Sequence, residues 1–148
     1  MKIVIGSDHG GYRLKEALKE GLLSLGVDFV DVGCHGLDSV DYPDYGRSVG
    51  EAVVRGEFDR GVVVCGTGIG ISIAANKVAG VRAALVHDAT SARLAAEHND
   101  ANVLALGGRL LAPELALELV QIWLETPFDV RHQRRLDMIT TIERGERA

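Results

Sequence analysis

The stretch "VVVCGTGIGISIAAN", residues 62–76, runs from three valines through a cysteine and three spaced glycines into a segment of small and apolar residues. Period and composition make this a buried β-strand, a tight glycine turn and a helix. The same alternation extends in both directions. Runs rich in β-branched residues lie at 2–6 (KIVIG), 27–33 (VDFVDVG), 61–65 (GVVVC), 81–86 (VRAALV) and 102–106 (NVLAL). Helical periodicity fills the gaps: Leu14, Leu18, Leu22 and Leu25 share one face, and Leu115, Leu119, Ile122 and Trp123 share another. Alternating β and α units predict an α/β fold, a single doubly wound sheet of five parallel strands with helices on both faces. The expected strand order is 2-1-3-4-5, whose ligand crevice opens at the carboxyl ends of strands 1 and 3. The last segment, RHQRRLDMITTIERGERA from Arg131, follows Pro127 and has no strand after it. An extra C-terminal helix reaching beyond the sheet is expected there.

Composition narrows the partners. The 148 residues, 47% of them hydrophobic, suffice for one globular domain with its own core. A net charge of −5 argues against nucleic acid, whose phosphates call for a basic surface. The N-terminal apolar run is too short for a signal peptide and no stretch approaches transmembrane length, so no membrane partner and a soluble, cytoplasmic protein are expected. Cys34 and Cys65 are the only cysteines, and neither belongs to a CxxC or a Cys/His zinc spacing. In GCHG (33–36), neighbouring side chains on an extended chain point to opposite faces, a poor geometry for chelation. No structural metal and no disulfide are expected.

The loops that should face each other across the crevice are GSDHGG (6–11) and CGTGIG (65–70). The second is neither a dinucleotide fingerprint nor a P-loop, because Ile71 stands where a third glycine would and no Gly-Lys-Ser/Thr follows. What its residues do support is an anion cradle, in which Gly66, Gly68 and Gly70 let successive N–H groups point inward and a helix starting near Ile69 adds its positive end. A cysteine ending a buried strand is ordinarily a small hydrophobe. At the mouth of such a cradle, Cys65 is instead a candidate thiolate base. Asp8 and His9 could cap the next helix, or hold a hydroxyl and a phosphate or sugar oxygen. His98 and Asn99, in EHNDANV (97–103), fall where the fourth helix ends. Arg131 and Arg135 lie four apart, on one face of the expected final helix with His132 beside them, either a solvated basic face or a two-pronged phosphate clamp.

With those residues in place, the chain resembles the type B ribose-5-phosphate isomerases, in the family shared with the galactose-6-phosphate isomerase subunits. SDHGG, DYPDYG (41–46), CGTGIGISIAANK (65–77), EHNDANVLALGGR (97–109) and RHQRRLD (131–137) carry the resemblance nearly end to end. It implies a Rossmann-like sugar-phosphate isomerase domain over 1–148, interconverting ribose 5-phosphate and ribulose 5-phosphate through an enediolate without metal or cofactor. By motif position, Cys65 would move the proton between C1 and C2, His98 would assist ring opening, and Thr67 would handle the ring oxygen. Asp8, His9 and Asn99 would hold hydroxyls or phosphate. Arg131, Arg135 and Arg109 would hold the phosphate, and Tyr42 would line the sugar. The alternatives are a six-carbon substrate, galactose 6-phosphate or allose 6-phosphate, and a non-catalytic phosphate-ligand module on the same fold.

Helix geometry adds an expectation about assembly. The helix after strand 4 runs back toward the opposite edge of the sheet, and ~10 residues at 1.5 Å each carry its end ~15 Å away. His98 and Asn99 would then point away from their own Cys65, and the segment from about 131 would do the same. A homodimer with sites shared between subunits is the arrangement expected to join them, with pairing into a tetramer left open.

Overall fold

The computed structural model describes residues 1–146. Five strands, β1 (Lys2–Ser7), β2 (Asp28–Asp31), β3 (Arg60–Cys65), β4 (Ala83–Leu85) and β5 (Val103–Gly107), alternate with α1 (Tyr12–Ser24), α2 (Tyr42–Val54), α3 (Ile69–Ala75), α4 (Ala89–Glu97) and α5 (Pro113–Glu125). A 3-10 turn, Val130–His132, then leads into α6 (Gln133–Glu143). All neighbouring strands are parallel. Side-chain alternation along the strands divides the core in two. Ile3, Ile5, Val62, Val64, Leu104 and Leu106 pack under α1, α4 and α5, while Val4, Val63, Val103 and Ala105 pack under α2 and α3.

The strand order is β2-β1-β3-β5-β4, which corrects the expected 2-1-3-4-5. The reason lies in burial and handedness together. Every residue of β5 is buried, as suits a central strand, whereas the three residues of β4 are half-buried, as suits an edge. Right-handed crossovers send the chain one way across the sheet over one face and back over the other. By stepping out to the edge through α3 and returning through α4, the chain places α4 on the face of α1 and α5. There Ala92, Ala95 and Ala96 join the cluster around the wholly buried Trp123.

Two periodicity readings also shift. Leu25 caps α1 and is exposed, so only Leu14, Leu18 and Leu22 form the buried stripe. Leu115 is likewise exposed, and α5 buries Ala116, Leu119, Val120 and Trp123. The crevice between β1 and β3 is unaffected, since these strands are adjacent and α1 and α3 leave them on opposite faces. Among the described residues, no helix is long and apolar enough to cross a membrane.

Candidate active site

Three loops meet at the carboxyl ends of the central strands, backbone against backbone. Asp8 continues the β1–β3 ladder by donating its N–H to Val64 O (3.2 Å), and its Oδ1 accepts from Gly11 N (3.0 Å). Gly11 must be glycine, because a Cβ would lie 2.3 Å from Val64 O. After β5, Gly108 N donates to Cys65 O (2.8 Å) and Arg109 N to Gly66 O (2.9 Å). These bonds fix the start of the glycine loop from both sides.

Inside that frame Cys65 is buried, and Gly68 donates its N–H to the sulfur at 3.1 Å. Gly68 adopts φ 78°, the left-handed conformation that glycine reaches without strain. A hydrogen bond from a main-chain N–H to sulfur is strengthened when the sulfur carries negative charge. Thr67 is exposed, and its Oγ1 accepts from Ile69 N (3.3 Å) where α3 begins. The Tyr42 ring, at the first turn of α2, lies over Gly70, where a Cβ would stand 2.7 Å from Cζ. The Arg109 guanidinium lies over Gly66, with Nη1 3.1 Å from where a Cβ would be. His9 Nδ1 accepts the N–H of Val40 (3.2 Å), so in the neutral ring the proton sits on Nε2. Thus Asp8, His9, Tyr42, Cys65, Gly66, Thr67, Gly68, Ile69, Gly70 and Arg109 belong to one crevice.

The remaining predicted residues form a second cluster at the other end of the sheet. His98 caps α4, five residues before β5 starts at Val103, and that residue pairs with Gly61 at the beginning of β3. Cys65 pairs with Gly107 at the far end of the same ladder, so the two clusters are separated by at least ~13 Å of strand. The His98 ring packs on His132, with centroids 4.2 Å apart. Asp129 N donates to Glu97 O (2.9 Å), seating the 3-10 turn on the end of α4. Arg131 Nε donates to His132 Nε2 (3.1 Å), and Arg135 Nη1 lies 2.8 Å from His132 Nδ1. Arg131 therefore precedes α6 rather than sharing a helix face with Arg135, and the two guanidiniums flank one imidazole. Burial, the His98 ring and both guanidiniums hold His132 below the usual histidine range, against an opposing pull from Asp129. Arg131, Arg134, Arg135 and Met138 line a groove of about 420 Å³.

Sequence reasoning missed the main-chain N–H of Val40, which orients His9 across 31 positions of chain and leaves no local signal. It also missed the framework glycines Gly11 and Gly108. Their runs of paired glycines, GG at 10–11 and 107–108, were the available clue.

A family model described as "Ribose/Galactose Isomerase" matches residues 3–139. The chain belongs to this ribose/galactose isomerase family. Within it, ribose-5-phosphate isomerase B of Escherichia coli (strain K12) is 46% identical over 143 residues, 96% of each chain. The solved structure of Clostridium thermocellum ribose-5-phosphate isomerase B superposes with a TM-score of 0.95 at 54% identity, covering 98% of this chain and 99% of that one. Ribose-5-phosphate isomerase B from Mycoplasma genitalium, solved with bound ribulose-5-phosphate, gives a TM-score of 0.90 at 40% identity, over 97% and 96% of the two chains.

Proposed function

We propose that this protein is an aldose–ketose isomerase that interconverts ribose 5-phosphate and ribulose 5-phosphate through a 1,2-enediolate, by a metal-free route. The observation that carries the reading is the Cys65 sulfur at the mouth of the glycine loop, 3.1 Å from the Gly68 nitrogen. It is supported by family members at 46% and 54% identity that bear the name ribose-5-phosphate isomerase B. Cys65 takes the proton from C2 of the open-chain aldose. The C–H electron pair becomes the C1–C2 double bond, and the carbonyl π pair moves onto O1. The same proton returns to C1 while the O2 proton passes to O1, leaving the ketose carbonyl at C2. The main-chain N–H groups of Gly66, Thr67 and Gly70, which unlike those of Gly68 and Ile69 are not bonded to Cys65 or Thr67, donate to the developing oxyanion, and loss of one such donor costs about 3 kcal/mol of barrier. Asp8 and the Nε2–H of His9 hold sugar or phosphate oxygens, Tyr42 walls the sugar, and Arg109 takes part of the phosphate charge.

Ring opening and the rest of phosphate binding fall to His98, Asn99, Arg131 and Arg135, with Thr67 at the ring oxygen. The two clusters stand at opposite ends of the same central strands, so His98 is read as serving not its own Cys65 but a partner's. The reading is a homodimer with two shared sites, in which residues 1–148 act as one domain and the segment from about 131 completes the partner's site. The exposed apolar side chains of α6, Met138, Ile139 and Ile142, support an association surface there. A doubly charged sugar phosphate does not cross bilayers unaided, so the enzyme must share a compartment with its substrate, and the reading puts both in the cytoplasm.

The direct test is a coupled assay on ribose 5-phosphate beside galactose 6-phosphate and allose 6-phosphate, with pentose turnover expected to dominate. Turnover of a hexose phosphate alone, or of none, overturns the substrate assignment. The shared site is tested by mixing Cys65→Ala and His98→Asn proteins under subunit exchange. Each hybrid dimer then holds one intact site, and random exchange of equal amounts restores about a quarter of wild-type activity. Confirmed exchange without recovery overturns the shared site.

A further inference from the structure

Asp100 is the one non-glycine residue with positive φ among the described residues, at 41°. It lies two positions after His98 and one after Asn99, in the turn that carries α4 into β5. Backbone held in this region is strained for a residue with a Cβ and persists where surrounding contacts over-determine it. Here the contacts come from the helix end, where Asp100 N donates to Ala96 O (3.1 Å) and Ala101 N to Ala95 O (2.9 Å), and from one side chain. Arg82 Nε donates to the carbonyl oxygens of Asn99 (3.0 Å) and Asp100 (3.1 Å), and Nη2 donates to Asp100 O (2.8 Å) and to Asp100 Oδ2 (3.0 Å). Arg82 is itself held at the main chain, where its N–H donates to Asn102 Oδ1 (2.8 Å) and its carbonyl accepts from Asn102 N (3.2 Å). The next carbonyl, Ala101 O, accepts from Arg60 Nη1 (2.8 Å) and Trp123 Nε1 (3.0 Å).

Three consecutive carbonyls in the turn after α4, those of Asn99, Asp100 and Ala101, are thus occupied by fixed donors, two of them by the planar fork of Arg82. The last carbonyls of α4 are taken by main-chain N–H groups, Ala95 O by Ala101, Ala96 O by Asp100 and Glu97 O by Asp129, so the guanidinium holds the turn that follows and places its charge near the negative end of the helix. The clamp braces the direction in which His98 and Asn99 leave the helix; Asn99 is exposed, and His98 is half-buried with its ring on His132.

We propose that Arg82, acting through Asp100, is a positioning residue that aims His98 and Asn99 at the substrate held by the partner chain. The inference rests on reading these two residues as part of the shared site. Arg82 touches no substrate. Its effect is on turnover, since displacement of a catalytic group by about 1 Å is enough to cost up to ~100-fold.

The test places Arg82→Met on one side or the other of the hybrid dimer. In the mixture of Cys65→Ala and His98→Asn chains, the single intact site takes its His98 from the Cys65→Ala chain. Arg82→Met added to that chain should remove ~10-fold or more of the restored activity. Added instead to the His98→Asn chain, whose own cluster is already broken, it should leave the restored activity within about twofold. A merely structural role weakens fold or association equally in both arms, so equal losses, or no loss in either, overturn the proposal. The mixture without any Arg82 change is the control. If it recovers nothing the shared-site reading itself fails, and the clamp loses its route to the chemistry. Should Arg82→Met fail to fold, Arg82→Lys keeps the charge, loses the fork, and carries the same comparison between arms.

Discussion

A thiol buried at the end of a strand and bonded by a main-chain N–H can be replaced in two informative ways. Cys65→Ala removes both the base and the acceptor of Gly68 N–H, so turnover should fall by at least ~100-fold, and the orphaned donor should cost about 1–3 kcal/mol of stability. Cys65→Ser keeps an acceptor for that N–H but supplies no base near neutral pH. It should lose turnover like the alanine variant while unfolding in urea closer to wild type. If the serine variant isomerises ribose 5-phosphate at near wild-type rate, Cys65 is not the base. Calorimetry with ribose 5-phosphate should still detect binding to both variants. A second residue-scale prediction concerns His132. Its folded-state value is lowered, so the unfolded chain takes up the proton first as pH falls. The contribution of the neutral ring to stability is complete above the ordinary histidine value of about 6.5 and is lost as pH drops below it. Urea midpoints followed from about pH 8 to about pH 5 should fall more steeply for wild type than for His132→Gln. Parallel curves would remove His132 as the source. Cys65 and the loop glycines Gly66, Gly68 and Gly70 were legible because their chemistry is local, whereas the proton position on His9 depends on Val40, a partner that no spacing announces.

At the scale of elements, the β3–loop–α3 unit was readable almost residue for residue. Valines, a glycine turn and a small apolar helix each state their conformation locally, and α3 does begin at Ile69. The exchange of β4 and β5 was not readable, because which strand sits centrally depends on which helix face finds a partner. The signal present was weak: VLALG buries every residue in β5, while the alanines of β4 suit a short edge. The loop also offers the sharpest element-level test. In Gly68→Ala the new Cβ would lie 2.5 Å from Leu85 Cδ1 and 2.9 Å from the Leu106 carbonyl carbon, at a φ that alanine avoids. Destabilisation above ~1 kcal/mol is expected in urea titration, together with a fall in kcat as the N–H swings away from sulfur. Unchanged stability and kcat would mean that the loop is not held as described.

For the whole molecule, the open question in the sequence was where the last helix goes, and only geometry answers it. Pro127 and the 3-10 turn set α6 against the end of α4. There Leu136 is buried, Glu143 accepts from Gly80 N (2.9 Å), and Ile139 and Ile142 are left exposed. Ile139 also lines an apolar groove of about 560 Å³ along the β4 edge. Replacing Ile139 and Ile142 by Asp should weaken association without unfolding the chain, and sedimentation should show monomer at concentrations where wild type is dimeric. Retained dimer in the double variant would move the interface elsewhere. The separation of the two clusters on one sheet reaches further than geometry, because under the proposed shared-site dimer a chain so built would have no activity alone. Below the dissociation constant of the pair, the number of working sites rises with the square of the chain concentration. Halving expression would then cut flux fourfold, and above that constant the response becomes linear. The proposed dimer would therefore give the reaction a dosage threshold, set by how tightly two copies hold each other rather than by any step of the chemistry.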